Sequence, residues 1–440
     1  MPRNTRPAIL VTTGLFVLIS GGLSAQPLSD AEQLGKAIFF DQHLSVNGNQ
    51  SCASCHQAES GWTGPDSDIN AHGSVYEASI AGRFGNRKPP SSAYATQSPI
   101  LHFEMDKKAA LFVGGNFWDG RATGEKLGNP AADQAQGPFL NPVEQALPDS
   151  ACVVYRVCSA STYPVGFEQV WGAGSCDIAW PADIEAACSD PEGVVALLPD
   201  ERAKVDTAYD QIALSIAAYE GSDEVNAFSS KFDFYLVGAA ELTHQERQGM
   251  QLFRGKAKCA NCHTMTRNRN RSGQPSLFTD FTYDNLGIPR NPENPWYTMP
   301  AEFNPDGDRW LDKGLGAFLN TRLDYQQFAA ENYGKHKVPT LRNVDKRPWP
   351  GFIKAYGHNG YFKTLKGIVH FYNTRDAKPR CLDPNTSEAD ALAQDCWPAP
   401  EIAVNVNTRE MGNLHLTDEQ EDAIVAFLKT LTDGYTPEMP

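Results

Sequence analysis

Beyond its N-terminal segment the chain has no run of about 18 uninterrupted apolar residues, the minimum for a helix that spans a bilayer. It is also short of positive charge. Lys and Arg number 38 against 53 Asp and Glu, a formal net charge of −15. That imbalance argues against a nucleic-acid partner and suits docking with a basic region of a small redox protein. Alternating strand patterns are sparse, and most periodic stretches have helical spacing, so the expected class is mainly α.

The exception at the N-terminus is an apolar run from Ala8 to Leu23, preceded by Arg3 and Arg6 and closed by Leu23-Ser24-Ala25. This is the layout of a cleavable secretory signal, with cleavage expected after Ala25. No Cys follows the run to take a lipid, so the mature protein should be exported to the periplasm or cell exterior, with net charge −17 once both arginines leave. Cysteine usage fits that compartment. Ten Cys include four in two CxxCH pentapeptides, which leaves six for disulfides. The simplest pairing is between sequence neighbours, Cys152 with Cys158, Cys176 with Cys188 and Cys381 with Cys396, out of 15 possible connectivities for six Cys.

Cys52-Ala53-Ser54-Cys55-His56 and Cys259-Ala260-Asn261-Cys262-His263 carry the chemistry. In each, two thiols can form thioether bonds to one haem, and the adjacent His can bind its iron from beneath. A zinc site would use the paired Cys but would not require a His directly after both pairs. Two covalent haem c groups are therefore expected, with Cys52, Cys55, Cys259 and Cys262 as attachment points and His56 and His263 as iron ligands.

The chain is long enough for two to three domains at 440 residues. A capping box at Ser29-Asp30-Ala31-Glu32 predicts a helix through Phe40, and Thr243-His244-Gln245-Glu246 predicts another through Phe253. Gly35 and Phe39 in the first match Gly249 and Phe253 in the second, and each helix is followed by its CxxCH. The repeated order suggests two class I cytochrome c-like haem domains related by duplication, at 26–238 and 239–440. Helices are also expected over Asp206–Tyr219 and from Thr417 through Leu431, while Ala151 to Pro199 reads as a disulfide-stapled insertion on the first domain, at about 150–200.

Asn116-Phe117-Trp118-Asp119-Gly120-Arg121-Ala122, with Gln134, Pro138 and Glu144 downstream, strongly resembles the bacterial dihaem cytochrome c peroxidase and MauG superfamily. Val338-Pro339-Thr340-Leu341-Arg342-Asn343-Val344, Tyr283-Asp284-Asn285-Leu286-Gly287 and Gly357-His358-Asn359-Gly360 extend the resemblance over nearly all of the mature chain. It implies an oxidoreductase in which the N-terminal haem reacts with hydrogen peroxide and the C-terminal haem stores or relays electrons. By the same resemblance, Glu144 is the acid-base residue, Gln134 orients the peroxide and Trp118 lies between the haems. Trp118 and Gln134 are sixteen positions apart, six more than in most relatives, so Gly124 to Pro130 reads as an insertion.

The resemblance also places a ligand of the second haem fourteen positions after the His of the His-Asn-Gly motif, which is Tyr372 here. Most peroxidases of the group have Met at that place, and MauG-type members have Tyr. An anionic phenolate favours the higher oxidation states of iron. His370 and Met411 are the competing candidates. His72 falls where some relatives carry a removable ligand of the first haem. Lys88 stands where relatives use an Asn to help hold calcium, which weakens the expectation of one calcium ion. The expected function is an exported dihaem peroxidase drawing electrons from a small cytochrome c or cupredoxin. The alternatives are a MauG-like maturase that oxidises Trp or Tyr side chains of a protein substrate, and a non-enzymatic dihaem electron carrier.

Overall fold

The computed structural model describes residues 27–106, 109–160, 163–265 and 275–437. The expected signal segment, 1–25, lies outside them. The described chain is mainly helical, with strands confined to a hairpin, His102–Asp106 (β1) with Ala109–Val113 (β2), and a short pair, Tyr283–Asp284 (β3) with His336–Lys337 (β4). No described helix is long and apolar enough to cross a membrane.

Six helices position the site: α1 Asp30–Phe40, α2 Ser150–Ser159, α3 Pro199–Gly221, α4 His244–Arg254, α5 Leu365–Thr374 and α6 Asp418–Lys429. The capping boxes form as the sequence predicts. Glu32 Oε2 accepts from the Ser29 backbone N–H at 2.7 Å, and Glu246 Oε2 accepts from that of Thr243 at 2.7 Å. The helix expected from Asp206 begins earlier, at Pro199, because a proline at its first position costs no helical hydrogen bond and Asp200 and Glu201 complement the positive N-terminal end.

Helices α1 and α3 cross closely in the first half of the chain, as α4 and α6 do in the second. A Cβ on Gly35 would run into the Ser215 carbonyl oxygen and lie 3.0 Å from Tyr219 Cβ. A Cβ on Gly249 would likewise run into the Ala423 carbonyl oxygen and lie 2.9 Å from Phe427 Cβ. Each crossing is sealed by an edge-on aromatic pair, Phe39 with Tyr219 at 5.6 Å and Phe253 with Phe427 at 5.3 Å. Around the two crossings lie two separate hydrophobic clusters. Phe228 packs against the first and Phe232 lies inside the second, which places the change of core between them.

The disulfides correct two of the three expected pairings. Cys152 bonds to Cys188 and Cys158 to Cys176, nested rather than adjacent, while Cys381–Cys396 forms as expected. Cys152 and Cys158 are both on α2. Six residues of helix separate them by about 9 Å along the axis, beyond the reach of a disulfide. The stapled region is also more helical than its composition suggests, with Pro164–Trp171 and Ile184–Cys188 beside α2.

Gly35→Ala is expected to separate α1 from α3 and destabilise the protein by about 1–3 kcal/mol or more, read as a lowered Tm of the holoprotein. An unchanged Tm would show that the crossing is not close-packed in solution.

Candidate active site

In the first half, Cys52 to Ser54 form a tight turn closed by the His56 backbone N–H donating to the Cys52 carbonyl at 3.0 Å. Cys52 and Cys55 stay unbridged. His56 Nδ1 bonds the Trp62 carbonyl at 3.1 Å, which leaves Nε2 as the available ligand atom. Burial pushes the imidazole down to about 4, so it is neutral with its lone pair free at ordinary pH. These groups border a cavity of about 400 Å³ whose wall also contains Gln134, Pro138, Glu144 and Trp118.

The sequence separations of the three distal residues are bridged by short helices. Asn129 caps Pro130–Ala135 by accepting from the Ala131 N–H at 2.8 Å, which sets Gln134 on its last turn. Gly137–Leu140 carries Pro138, and the following turn is closed by the Glu144 N–H donating to the Asn141 carbonyl at 2.9 Å. The stretch that begins at Gly124 runs directly into the first of these helices, which Pro130 opens. Burial raises the Glu144 carboxyl, opposed by Arg121 and by the Asn141 Nδ2 donation to Oε2 at 3.0 Å. His72 is outside this wall. Its side chain is 60% exposed and Nδ1 is bonded to the Asp68 carbonyl at 2.9 Å.

The second half repeats the arrangement. His263 Nδ1 bonds the Phe278 carbonyl at 2.9 Å, burial pushes the ring down to about 4, and Cys259 and Cys262 remain unbridged. The cavity here is smaller, about 180 Å³. Of the candidate second ligands, Tyr372 and Met411 are in its wall and His370 is not. His370 turns to α6, where Nδ1 is 2.9 Å from Glu421 Oε1. The Tyr372 phenol is raised by burial, so ionising it there requires a neighbouring cation such as iron.

Trp118 is in the wall of both cavities and is 9% exposed. It is held through main-chain groups on either side. Its Nε1–H donates to the Lys88 carbonyl at 2.8 Å, and its own carbonyl accepts from the Lys337 N–H at 2.9 Å. Next to it Asp119 shares Arg87 with Asp312: Nη1 donates to Asp119 at 2.6 Å, and Nε and Nη2 donate to Asp312 at 2.6 Å. The sequence reading missed this buried triad, although Asp119 is inside the quoted motif. It also missed Lys337, whose buried ammonium donates to Ser98 Oγ at 2.6 Å and to Asn116 Oδ1 at 2.9 Å.

The four cysteines, two neutral imidazoles and two cavities fit two haem c groups. The surroundings of Lys88 do not fit calcium. Its ammonium donates to Thr63 Oγ1 at 3.0 Å and to the Pro89 carbonyl at 2.9 Å, so these oxygens already face a cation that would repel a second one.

Fold and site together define a dihaem c-type oxidoreductase, with an aromatic residue common to both haem cavities. The family model described as di-haem cytochrome c peroxidase matches residues 29–241. Methylamine utilization protein MauG of Paracoccus denitrificans is 33% identical over 433 residues, covering 97% of this chain and 95% of that protein. Cytochrome c551 peroxidase of Pseudomonas aeruginosa is 28% identical over 350 residues, covering 79% and 73%. Among solved structures, the diheme peroxidase BthA of Burkholderia thailandensis superposes with a TM-score of 0.67 at 30% identity, over 93% of this chain and 88% of that one. The chain belongs to the dihaem cytochrome c peroxidase and MauG family, and it is an oxidoreductase acting on peroxide or in a related oxidation.

Arg87 holds the Asp119 and Asp312 carboxyls below their usual range, so their stabilisation is present at neutral pH and is lost only as pH falls through those depressed values. Arg87→Ala removes the cation that both buried carboxyls share, leaving Asp119 with Arg121 at 2.9 Å and Asp312 with His336 at 3.2 Å, and is expected to cost about 3 kcal/mol at neutral pH. Without Arg87 the two carboxyls titrate higher, so the deficit against wild type should shrink on acidification. A deficit independent of pH in thermal unfolding would contradict the ion-pair account.

Proposed function

We propose that the protein is an exported dihaem peroxidase that reduces hydrogen peroxide to water in the N-terminal cavity. The observation that carries this reading is the convergence of His56, Gln134, Pro138 and Glu144 on the wall of one cavity. When bound there, haem c supplies the redox centre at which the O–O bond is cleaved. In the balanced reaction one peroxide, two electrons and two protons give two waters. Gln134 orients the peroxide by hydrogen bonding. Glu144, ionised, takes the proton from the near oxygen and returns it to the far one, so that the far oxygen leaves as water.

In the C-terminal cavity His263 and Tyr372, both in its wall, would hold the second iron, which would store or relay electrons there, and Trp118, in the wall of both cavities, would pass electrons between the two sites. The two halves then correspond to cytochrome c-like domains of common descent, at about 26–238 and 239–440, with the stapled insertion at about 150–200 on the first. Electrons come from outside, and the acidic net charge of −15 favours a small basic cytochrome c or cupredoxin as donor. A second reading has a specific observation behind it. Tyr372 is in the cavity wall, as in MauG-type members, which favours a partner protein whose Trp or Tyr side chains are the electron source. A carrier with no enzymatic role leaves the raised carboxyl of Glu144, in the cavity wall, without a purpose.

Glu144→Gln should retain both haems and slow peroxide turnover by roughly 10²- to 10⁴-fold. Because a base must be ionised, wild-type turnover should fall as pH drops through the raised carboxyl value, and this limb should vanish in the variant. Turnover within twofold of wild type, about 2 by the same measure, would remove Glu144 from the mechanism. Electron paramagnetic resonance of the ferric protein separates the ligand readings. One high-spin haem with one low-spin His/Tyr haem, the latter altered in Tyr372→Phe, supports the assignment, and a His/Met signature overturns it.

A further inference from the structure

The two helix crossings supply an internal comparison. Ser215 and Tyr219 of α3 meet Gly35 as Ala423 and Phe427 of α6 meet Gly249, which fixes the correspondence of the two helices residue by residue. In that register Ile216 corresponds to Ile424, and both are in the walls of their cavities. The next wall position is Leu428 in the second half, 5% exposed among apolar neighbours. In the first half it is Glu220. This carboxyl is as deeply buried, at 4% exposure, and is in the wall of the cavity that holds His56 and Glu144.

An ionisable group in a place where its counterpart is leucine needs a partner or a purpose. Among the described residues no hydrogen bond or charge offsets the burial of the Glu220 carboxyl. The elements packed against α3 have their charges committed elsewhere. Lys36 of α1 is paired with Glu224 at 2.6 Å, Arg156 of α2 is bonded to the His43 and Ser45 carbonyls, and Asp133 accepts from the Leu127 N–H at 2.9 Å. On its own helix Tyr219 donates to Glu224 at 3.0 Å, and segment Ala95–Gln97 brings no charge. Facing it from the cavity are Cys52 and, less directly, Glu144: the Glu220 charge acts on the Cys52 thiol more strongly than the Glu144 charge does.

We propose that Glu220 is a second functional carboxyl of the N-terminal cavity, a proton-binding group at the Cys52 edge of the haem that couples reduction of that haem to uptake of one proton. The inference rests on the dihaem reading above. One electron from the external donor enters the iron, which goes from ferric to ferrous, and one proton from solvent converts the Glu220 carboxylate to the acid. The net charge of the buried site is unchanged. Reduction removes a positive charge near the carboxylate, so the carboxyl binds its proton more tightly when the haem is ferrous. Burial alone pushes it up to about 8, and the ferric charge lowers it from there, so the coupling spans the pH range below about 8. Leu428 deprives the second site of this coupling, and Glu144 acts on peroxide rather than on the electron.

The test is a spectroelectrochemical titration of each haem against pH in the holoprotein, for wild type, Glu220→Gln, Glu220→Leu and Glu144→Gln. The N-terminal haem potential of wild type and Glu144→Gln should fall as pH rises towards about 8. In both Glu220 variants it should be flat there. Redox difference infrared spectra should show a carboxylic acid band on reduction that is lost in Glu220→Gln. If Glu220→Leu fails to fold, Glu220→Gln keeps the shape and decides the matter. An equal pH slope in Glu220→Gln and wild type, or loss of the slope in Glu144→Gln alone, overturns the proposal. Failure of the dihaem reading is seen separately, as absence of haem at Cys52 and Cys55 or of peroxide turnover in wild type.

Discussion

The close crossing of two helices at a single glycine is the constraint on which both cavities depend. At Gly35 and again at Gly249 the partner backbone comes so near that only a hydrogen can stand between, and the aromatic pairs beside the crossing fix its angle. Because the helices touch there, their following turns hold the cavity wall at a set distance from the CxxCH turn that ends each entry segment. The imidazoles are then oriented by a second device. Each gives Nδ1 to a carbonyl, of Trp62 or of Phe278, so that Nε2 is left to face the cavity. The helices provide the space and the carbonyls provide the direction.

The two halves are joined by buried charge, by main-chain hydrogen bonds and by a small hydrophobic cluster in which Leu101 and Phe112 of the first meet Tyr283, Leu315 and Leu319 of the second. Arg87 brings Asp119, from the segment that carries Trp118, to Asp312, far along the chain, and all three side chains are nearly excluded from water. Such a triad is poor as a source of stability, since desolvation offsets most of the attraction, but it tolerates only one arrangement. That specificity matters at Trp118. An indole that borders both cavities can serve both only if its distance to each is fixed, and the Lys88 carbonyl and Lys337 N–H fix it from two sides.

Much of this was legible in the sequence because it is local. Capping boxes and CxxCH turns are short-range patterns whose physical meaning does not depend on the rest of the fold, whereas Gln134, Pro138 and Glu144 stood out only through the family resemblance. The disulfides were not legible, because neighbours in sequence such as Cys152 and Cys158 are parted by the helix they share. Nor was the Arg87 triad, which joins residues 225 positions apart. Glu220 is an intermediate case. Its helix was foreseen only as far as Tyr219, one residue short of it, and its meaning required the register set by the glycine crossings, since without it a glutamate on a long polar helix is unremarkable. His370 and Tyr372 show the same limit on a smaller scale: two residues of one helix face opposite ways, and only the packing of α6 against α5 decides which is inside.

The size of the two cavities gives the division of labour a physical basis. The first, at about 400 Å³, is more than twice the second, at about 180 Å³, although the helices that frame them cross in the same way. The difference comes from what fills the space. In the second half Leu428, Met411, Leu365 and Tyr372 project into the wall and make it close and mostly apolar. A site of that kind excludes a third reactant and suits an iron that only gains and loses electrons. In the first half the corresponding wall is opened and lined by Gln134, Glu144 and Glu220, groups that exchange protons or donate hydrogen bonds. Peroxide reduction consumes protons as well as electrons, whereas electron storage does not. The same local frame, met twice in the chain, can therefore serve two tasks by a change in the volume and polarity of its wall, with the helix crossing and the His–carbonyl bond left as they are.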